Sequence, residues 1–209
     1  MGDIRALTIE ITQSIAALPV NEQVEALNYV RKALHSISPF AGEPVDCVLW
    51  LKSDEVEAND YNPNNVAPPE MKLLEHSIRE DGYTQPIVVW QDELRYEVID
   101  GFHRHRVGCE TPDVTWRLQG YLPVTVANPN RGERGDRIAA TIRHNRARGK
   151  HRVDAMSDIV VELARRNWSD AKIARELGME PDEVLRLKQI SGLAEMFADR
   201  EFSEAWEPS

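Results

Sequence analysis

The chain has 209 residues, 42% apolar and 29% charged, which is ordinary globular usage with length enough for one or two domains, and this argues against wholesale disorder. No apolar run approaches the roughly 20 residues of a bilayer span and the start lacks a basic, apolar, small-residue leader, so a soluble cytoplasmic protein with no membrane partner is expected. Cys47 and Cys109 are the two cysteines; they lie far apart without a Cys or His neighbour at ligand spacing, which excludes a disulfide framework and argues strongly against structural zinc.

The first forty residues read as two helices, because Ile4, Leu7, Ile11, Ile15 and then Val24, Leu27, Val30, Leu34 recur at three- and four-residue steps. Leu18-Pro19-Val20-Asn21 separates them, Asn21 is the expected cap of the second, and Ser38-Pro39-Phe40-Ala41-Gly42 ends it. Cys47 to Leu51 reads as a strand, followed by a polar loop, Asn59 to Asn65. Pro68 and Pro69 suit a helix start, Met71, Leu74 and Ile78 give that helix its stripe, and Gly82 stops it. Ile87–Trp90 and Arg95–Ile99 predict a hairpin, the second strand alternating as if half-buried. A helix-compatible run, Phe102 to Cys109, and a strand, Leu122 to Val126, complete a small α+β domain. Beyond Asn128-Pro129-Asn130 the pattern is helical, with Ile138 and Ile142 in one helix and Val153, Met156, Val160 and Leu163 in another. The closing Glu207-Pro208-Ser209 reads as a frayed end.

The net charge is −10, but it is unevenly placed: residues 131–152 hold eight basic side chains against two acidic ones. A polyanion is expected to meet the chain there, at Arg131, Arg134, Arg137, Arg143, Arg146, Arg148, Lys150 and Arg152, and the competing reading is a solvated helix face.

Three constellations carry possible chemistry. Asp100-Gly101-Phe102-His103-Arg104-His105-Arg106 falls where a strand passes into a helix N-terminus. Free amides, the positive end of the dipole, a close-approach glycine and arginines together suit a di- or triphosphate. Alternatively, Arg104 or Arg106 pairs with local carboxylates and His103 packs. In the second, Asn145 stands among cations from Arg143 to His151. Its carbonyl can complete a Mg²⁺ held mainly by substrate phosphates while Arg148 neutralises them; otherwise it faces water. The third, Ser169 to Lys188, has the form of a helix-turn-helix over about residues 169–190, with small Ala174, Gly178 at the turn and Val184 as apolar anchor. Glu180, Asp182 and Glu183 open its second helix, where DNA phosphates favour cations. The DNA-facing candidates are Arg146, Lys150, Arg152, Lys172, Arg175, Arg186 and Lys188.

Taken in order, Gly82-Tyr83-Thr84-Gln85-Pro86-Ile87-Val88-Val89, Asp100 to Arg106, Asn145-Arg146-Ala147-Arg148 and the helix-turn-helix resemble the ParB/sulfiredoxin superfamily over about residues 45–195. Asn62-Pro63-Asn64 and Val66 to Met71 are similar to the IbrB type, described as co-activators of prophage gene expression. The expected architecture is α+β: the N-terminal helical hairpin read from its periodicity (1–44), then, as the resemblance implies, a ParB/sulfiredoxin-like mixed domain (45–130) and an all-helical domain with a helix-turn-helix (131–209). It implies a nucleotide pocket for an NTP, CTP in partition proteins and ATP in related kinases and sulfiredoxins, formed by Gln85, Gly101, His103, Arg104, Arg106, Asn145 and Arg148. Phe102-His103 replace the partition proteins' Glu-Arg and give a Gly-x-His-Arg form nearer to sulfiredoxins and free-serine kinases. His144 replaces their Glu, which counts against CTP hydrolysis of that kind. Sulfiredoxin chemistry is not expected, because Phe102 stands where its cysteine would lie and Cys109 is a turn or two away. A sliding clamp of the usual build is not expected either, since few residues follow the helix-turn-helix.

The expected function is a nucleotide-binding, DNA-binding regulator with Mg²⁺ and double-stranded DNA as partners. The alternatives are an ATPase or small-molecule kinase with His103 as catalytic base, and a partner-binding adaptor with a vestigial pocket. Residues 1–40 either pair two copies into a homodimer or pack on their own domain.

Overall fold

The computed structural model describes residues 2–59, 68–92, 95–127, 134–146 and 153–197. The chain divides into two compact units, one holding the described residues up to 127 and the other those from 134 onward.

The first unit opens with α1 (Gly2–Ala16) and α2 (Val20–Ser36). Their hairpin is fastened by Gln23, whose amide donates to the carbonyls of Ala16 and Leu18. Pro19, not Asn21, precedes α2 as its cap. Proline pre-sets the turn and moves the helix start two residues earlier, so Asn21 lies inside the first turn, where its Oδ1 accepts the Tyr121 hydroxyl at 2.9 Å. Asn28 fastens α2 to the body by both ends of its amide, accepting from the Trp50 N–H at 3.0 Å and donating to the Trp50 carbonyl at 2.6 Å.

The sheet comprises β1 (Leu49–Lys52), β2 (Val56–Glu57), β3 (Ile87–Asp92), β4 (Arg95–Asp100) and β5 (Tyr121–Val126), in the order β1-β5-β3-β4-β2. The β3–β4 hairpin is antiparallel as expected, while β5 runs parallel to β3. Leu49, Leu51, Val56, Ile87, Val89, Val98, Leu122 and Val124 form the sheet's core. The two-residue strand β2 has too little apolar content to show in a periodicity scan.

Helices α3 (Pro68–Asp81), α4 (Phe102–Glu110) and α5 (Pro112–Arg117) share a smaller core of Ile78, Val107 and Val114. Helix α5 is six residues long, short enough for the sequence pattern to miss. The expected alternation in β4 is replaced by three consecutive buried residues, Val98, Ile99 and Asp100. The cause is a bulge: Val89 pairs with Val98 but Val88 pairs with Asp100, leaving Ile99 as an extra residue on β4. A bulge breaks the period of two and re-aims the side chains that follow it.

The second unit packs α6 (Arg134–Arg146), α7 (Val153–Arg165), α8 (Asp170–Leu177) and α9 (Pro181–Phe197) around Ile138, Ile142, Val160, Leu163, Ile173, Leu177 and Val184. Ser169 caps α8 by accepting the Lys172 amide, and Gly178, at φ +64°, makes the tight turn into α9 that a side chain would strain. Helices α8 and α9 are the expected helix-turn-helix. The polar loop of residues 60–65, the junction at 128–130 and the closing residues 207–209 lie outside the described residues.

The tightest approach in the first unit is at Gly108. A Cβ there would run into Leu122 Cδ2 and the Tyr83 hydroxyl, and that hydroxyl donates to the Arg104 carbonyl at 2.6 Å. Gly108→Ala gains up to about 1 kcal/mol of helix propensity. It loses more through overpacking, about 1–3 kcal/mol, and through the displaced hydroxyl. The expected outcome is a lower urea midpoint; an unchanged or higher midpoint contradicts this packing.

Candidate functional site

The site is built where β4 gives way to α4. The bulge at Ile99 buries the Asp100 carboxylate, 4% exposed, at the end of the strand. Gly101 follows at φ +89°, a left-handed conformation that glycine adopts without strain, and caps α4. The first bond of the helix is His105 N–H to the Gly101 carbonyl, 2.8 Å. The amides of Phe102, His103 and Arg104 therefore lie in the turn whose donors have no intrahelical acceptor, at the positive end of the helix dipole.

Arg104 folds back over this turn. Its Nη1 donates to Gln85 Oε1 at 2.7 Å and its Nη2 to Asp100 Oδ2 at 3.4 Å. A Cβ on Gly101 would lie 2.9 Å from Arg104 Nη2, so glycine is required twice, for its dihedral and for the space the guanidinium fills. Tyr83 holds the Arg104 carbonyl from below, and burial pushes its phenol well above the ordinary tyrosine range, keeping the donating proton in place. Gln85, Gly101 and Arg104 thus converge, and Asp100 and Tyr83 organise them. Neither stands out by residue pattern as a site residue, although Asp100 lies four residues before Arg104, where the two side chains share a face.

Arg106 is placed elsewhere. It is two residues from Arg104 on a helix and so points to the other side, where Glu110 takes its Nη2 at 3.0 Å. That pairing is the local carboxylate alternative raised for these arginines. Among the described residues both ring nitrogens of His103 are buried without a hydrogen-bond partner. Desolvation first, and then the charge of Arg106, lower its pKa below the usual histidine range. His105 is a packing histidine, with Nε2 2.9 Å from the Val56 carbonyl and 3.5 Å from Cys109 Sγ. Its pKa is also lowered, chiefly by desolvation.

In the second unit, Asn145 and Arg146 belong to α6, but their side chains lie outside the described residues, as do Arg148, Lys150 and Arg152 altogether. Two arginines of the basic run serve the unit itself: Arg134 Nε bonds Glu162 at 3.0 Å and Arg143 Nη1 bonds Glu176 at 2.7 Å. On the helix-turn-helix, Lys172 lies 3.7 Å over the Trp168 ring and Lys188 pairs with Asp170. Arg175, 73% exposed and in loose contact with Glu176, and Arg186, exposed on α9, face solvent.

A family model described as the ParB N-terminal domain matches residues 42–116, and one described as the IbrB-like C-terminal HTH domain matches residues 151–199. The chain belongs to the ParB/sulfiredoxin superfamily and is of the IbrB-like type. It is 57% identical over 209 residues to the uncharacterized protein YbdM of Escherichia coli K12, covering 99% of each chain. Among solved structures, ParB of Caulobacter crescentus bound to CTP-γ-S is 18% identical, with 72% of this chain and 83% of that one covered and a TM-score of 0.39. The same protein on its centromeric parS site is 15% identical, with 71% and 75% covered and a TM-score of 0.46. Sulfiredoxin of Arabidopsis thaliana is 18% identical, with 39% and 84% covered and a TM-score of 0.31. These are distant likenesses. Among the described residues no group of His, Cys, Asp and Glu could hold a metal ion, and no helix is long and apolar enough to cross a membrane.

The two depressed histidines fix the sign of one pH effect. Above pH 6.5 both are neutral, folded or unfolded, and folding is unaffected. Below it the unfolded chain binds protons that the fold resists, so stability falls as pH drops from 6.5 toward the folded-state values. Urea midpoints are expected to fall between pH 6.5 and 5.5, less so in His103→Gln; an identical decline in that variant would remove His103 from the account.

Proposed function

We propose that this protein is a nucleotide-responsive, DNA-binding regulator of the ParB type. Residues 45–130 bind an NTP, CTP or ATP. Residues 131–209 engage double-stranded DNA, and residues 1–44 serve as a pairing arm. The IbrB-like character of the C-terminal part favours a role in transcription, as a co-activator of prophage genes, over plasmid or chromosome partition. Localisation in the cytoplasm follows from a DNA partner.

One observation carries the reading: a buried carboxylate and an amide side chain hold Arg104 across a glycine-capped helix N-terminus. Helix-start amides and a planar guanidinium are the two groups that recognise a phosphate chain best, and here they occupy one turn. Asp100 is already matched to Arg104, so a phosphate meets a cation of fixed direction. Gln85 holds its amide beside that guanidinium, where the same ligand can meet both. Mg²⁺ would be held by those phosphates, with Asn145 as neutral ligand and Arg148 as counter-charge, and Arg106 is a second cation once Glu110 releases it. On the DNA side, Arg175 and Arg186 are the cations of the helix-turn-helix best placed for phosphate contact, followed by Arg146, Lys150 and Arg152 from the basic run. Lys172 and Lys188 first have to leave Trp168 and Asp170.

The test is a thermal-shift series with CTP, ATP, ADP and GTP, each with Mg²⁺. A ligand at about a hundredfold its Kd stabilises the native state by about 2.7 kcal/mol. Arg104→Lys keeps a cation over Asp100 while removing the planar fork, and it is expected to abolish the shift with little loss of basal stability. Arg186→Ala is expected to keep the shift and weaken duplex binding. Duplex affinity should fall with salt by about one power of concentration for each phosphate neutralised. No shift with any nucleotide ends the nucleotide part, and salt-independent or absent duplex binding ends the DNA part.

A specific observation favours a second reading, an ATPase or small-molecule kinase. His103 sits in the same turn, both its nitrogens without a partner among the described residues and its imidazole biased toward the neutral form, the state a general base needs. Phosphate release or transfer that disappears in His103→Gln supports it, whereas no turnover with any NTP leaves binding alone.

A further inference from the structure

Eleven of the fifteen large apolar side chains that stand exposed among the described residues fall within residues 4–45. Helix α1 buries none of its fifteen residues, and α2 buries none of its seventeen. The exposed side chains are ordered. On α1, Ile4, Leu7 and Ile11, exposed by 45–62%, follow the three- and four-residue steps of a single stripe. On α2, Val20, Leu27 and Leu34 recur every seven residues at 39–61% exposure, the spacing of a coiled-coil seam. The face of α2 toward β1 is used by Asn28, so this second line is not the one that holds the hairpin to its own domain.

We infer that the hairpin is covered by the same hairpin of a second copy, the two forming an intermolecular four-helix bundle with Ile4, Leu7, Ile11, Val20, Leu27 and Leu34 in its seam. The inference rests on the reading of residues 1–44 as a pairing arm and on neither nucleotide nor DNA binding. Six apolar side chains exposed by 39–62% on one hairpin go beyond the singly scattered apolar residues of an ordinary surface, and the same six from a second copy give them the apolar core of a homodimer interface.

The chemistry of α1 selects the occupant. Its hydroxyls are turned inward: Thr8 donates to Ile4, Thr12 to Thr8 and Ser14 to Glu10, at 2.7, 2.9 and 2.8 Å. Only Asp3, Arg5 and Glu10 are charged. A membrane-surface helix carries rows of Lys or Arg, which α1 lacks. A charged peptide or nucleic acid finds no complementary row. A neutral apolar stripe is self-complementary about a two-fold axis, the commonest symmetry of soluble oligomers.

The full chain is to be weighed by light scattering or sedimentation over a micromolar dilution series, without nucleotide or DNA. The expected mass is twice 23.8 kDa. Leu7→Glu and Leu27→Glu each place an unpaired carboxylate in the seam and are expected to raise the dissociation constant about a hundredfold or more. Ile9→Glu, two residues from Leu7 and so on the other side of α1, is expected to leave the dimer intact. Circular dichroism of each variant separates lost pairing from lost folding. A wild-type monomer throughout the series overturns the inference, as does dissociation by Ile9→Glu but not Leu7→Glu. If the chain is dimeric yet shows no nucleotide shift, only the pocket reading falls; if it shows the shift as a monomer, only the pairing falls.

Discussion

The arrangement of the first unit depends on the ion pair between Asp100 and Arg104, and that pair depends on one extra residue in β4. Without the bulge at Ile99, a strict alternation would carry the position of Asp100 to the opposite face of the sheet. With it, the carboxylate is buried at the strand end, four residues ahead of the arginine that neutralises it. Burial makes the pair consequential, because an isolated carboxylate so placed has a large desolvation cost. Arg104 is therefore not a surface cation waiting for a ligand. It is part of the fold whose exposed edge, with Gln85, remains available for exchange.

The same logic, charge used first for structure, recurs in the second unit. Arg134 and Arg143 belong to the basic run that stands out against a net charge of −10, yet both are bonded to glutamates of neighbouring helices. Lys188 joins α9 to α8, and Lys172 covers Trp168. Composition overstates the electrostatic footprint for this reason: it counts cations without asking which of them a nearby acid has already taken. Arg175 and Arg186 meet solvent, and they flank a helix start occupied by Glu180 and Asp182.

Long amphipathic segments were legible in the sequence. Helices α3, α4 and α7 and the β3–β4 hairpin follow from periodicity and turn residues, and Ala174, Gly178 and Val184 mark the helix-turn-helix because close helix contact, a left-handed turn and an apolar anchor each restrict residue type. The grouping of Gln85, Gly101 and Arg104 was also legible, through their resemblance to known motifs. What escaped was set by tertiary context. The two-residue β2 and six-residue α5 are too short to show a period. The start of α2 moved because Pro19 fixed the preceding turn, which freed Asn21 to meet Tyr121, a hundred residues away. The bulge left no mark in the sequence, since Val98 and Ile99 suit either register, and with it the role of Asp100 was hidden. Arg106 could have been separated from Arg104 on helix geometry alone, because residues two apart do not share a face.

The N-terminal hairpin shows the opposite relation between pattern and structure. Its periodicity is among the clearest in the chain, and the residues that make it clear are the ones the fold leaves uncovered. A fifteen-residue helix with no buried side chain has little to hold it, since isolated helices of that length are marginal in water. The apolar stripe on α1 is thus unexplained by the monomer and becomes sensible when another surface supplies the burial. A helix-turn-helix opening on acidic residues and offering few unengaged cations is a weak reader of DNA by itself. Under the proposed pairing, two such modules tied through their arms would gain from effective concentration what each lacks in contacts, and the uncovered hairpin and the modest charge of the helix-turn-helix would then answer one requirement.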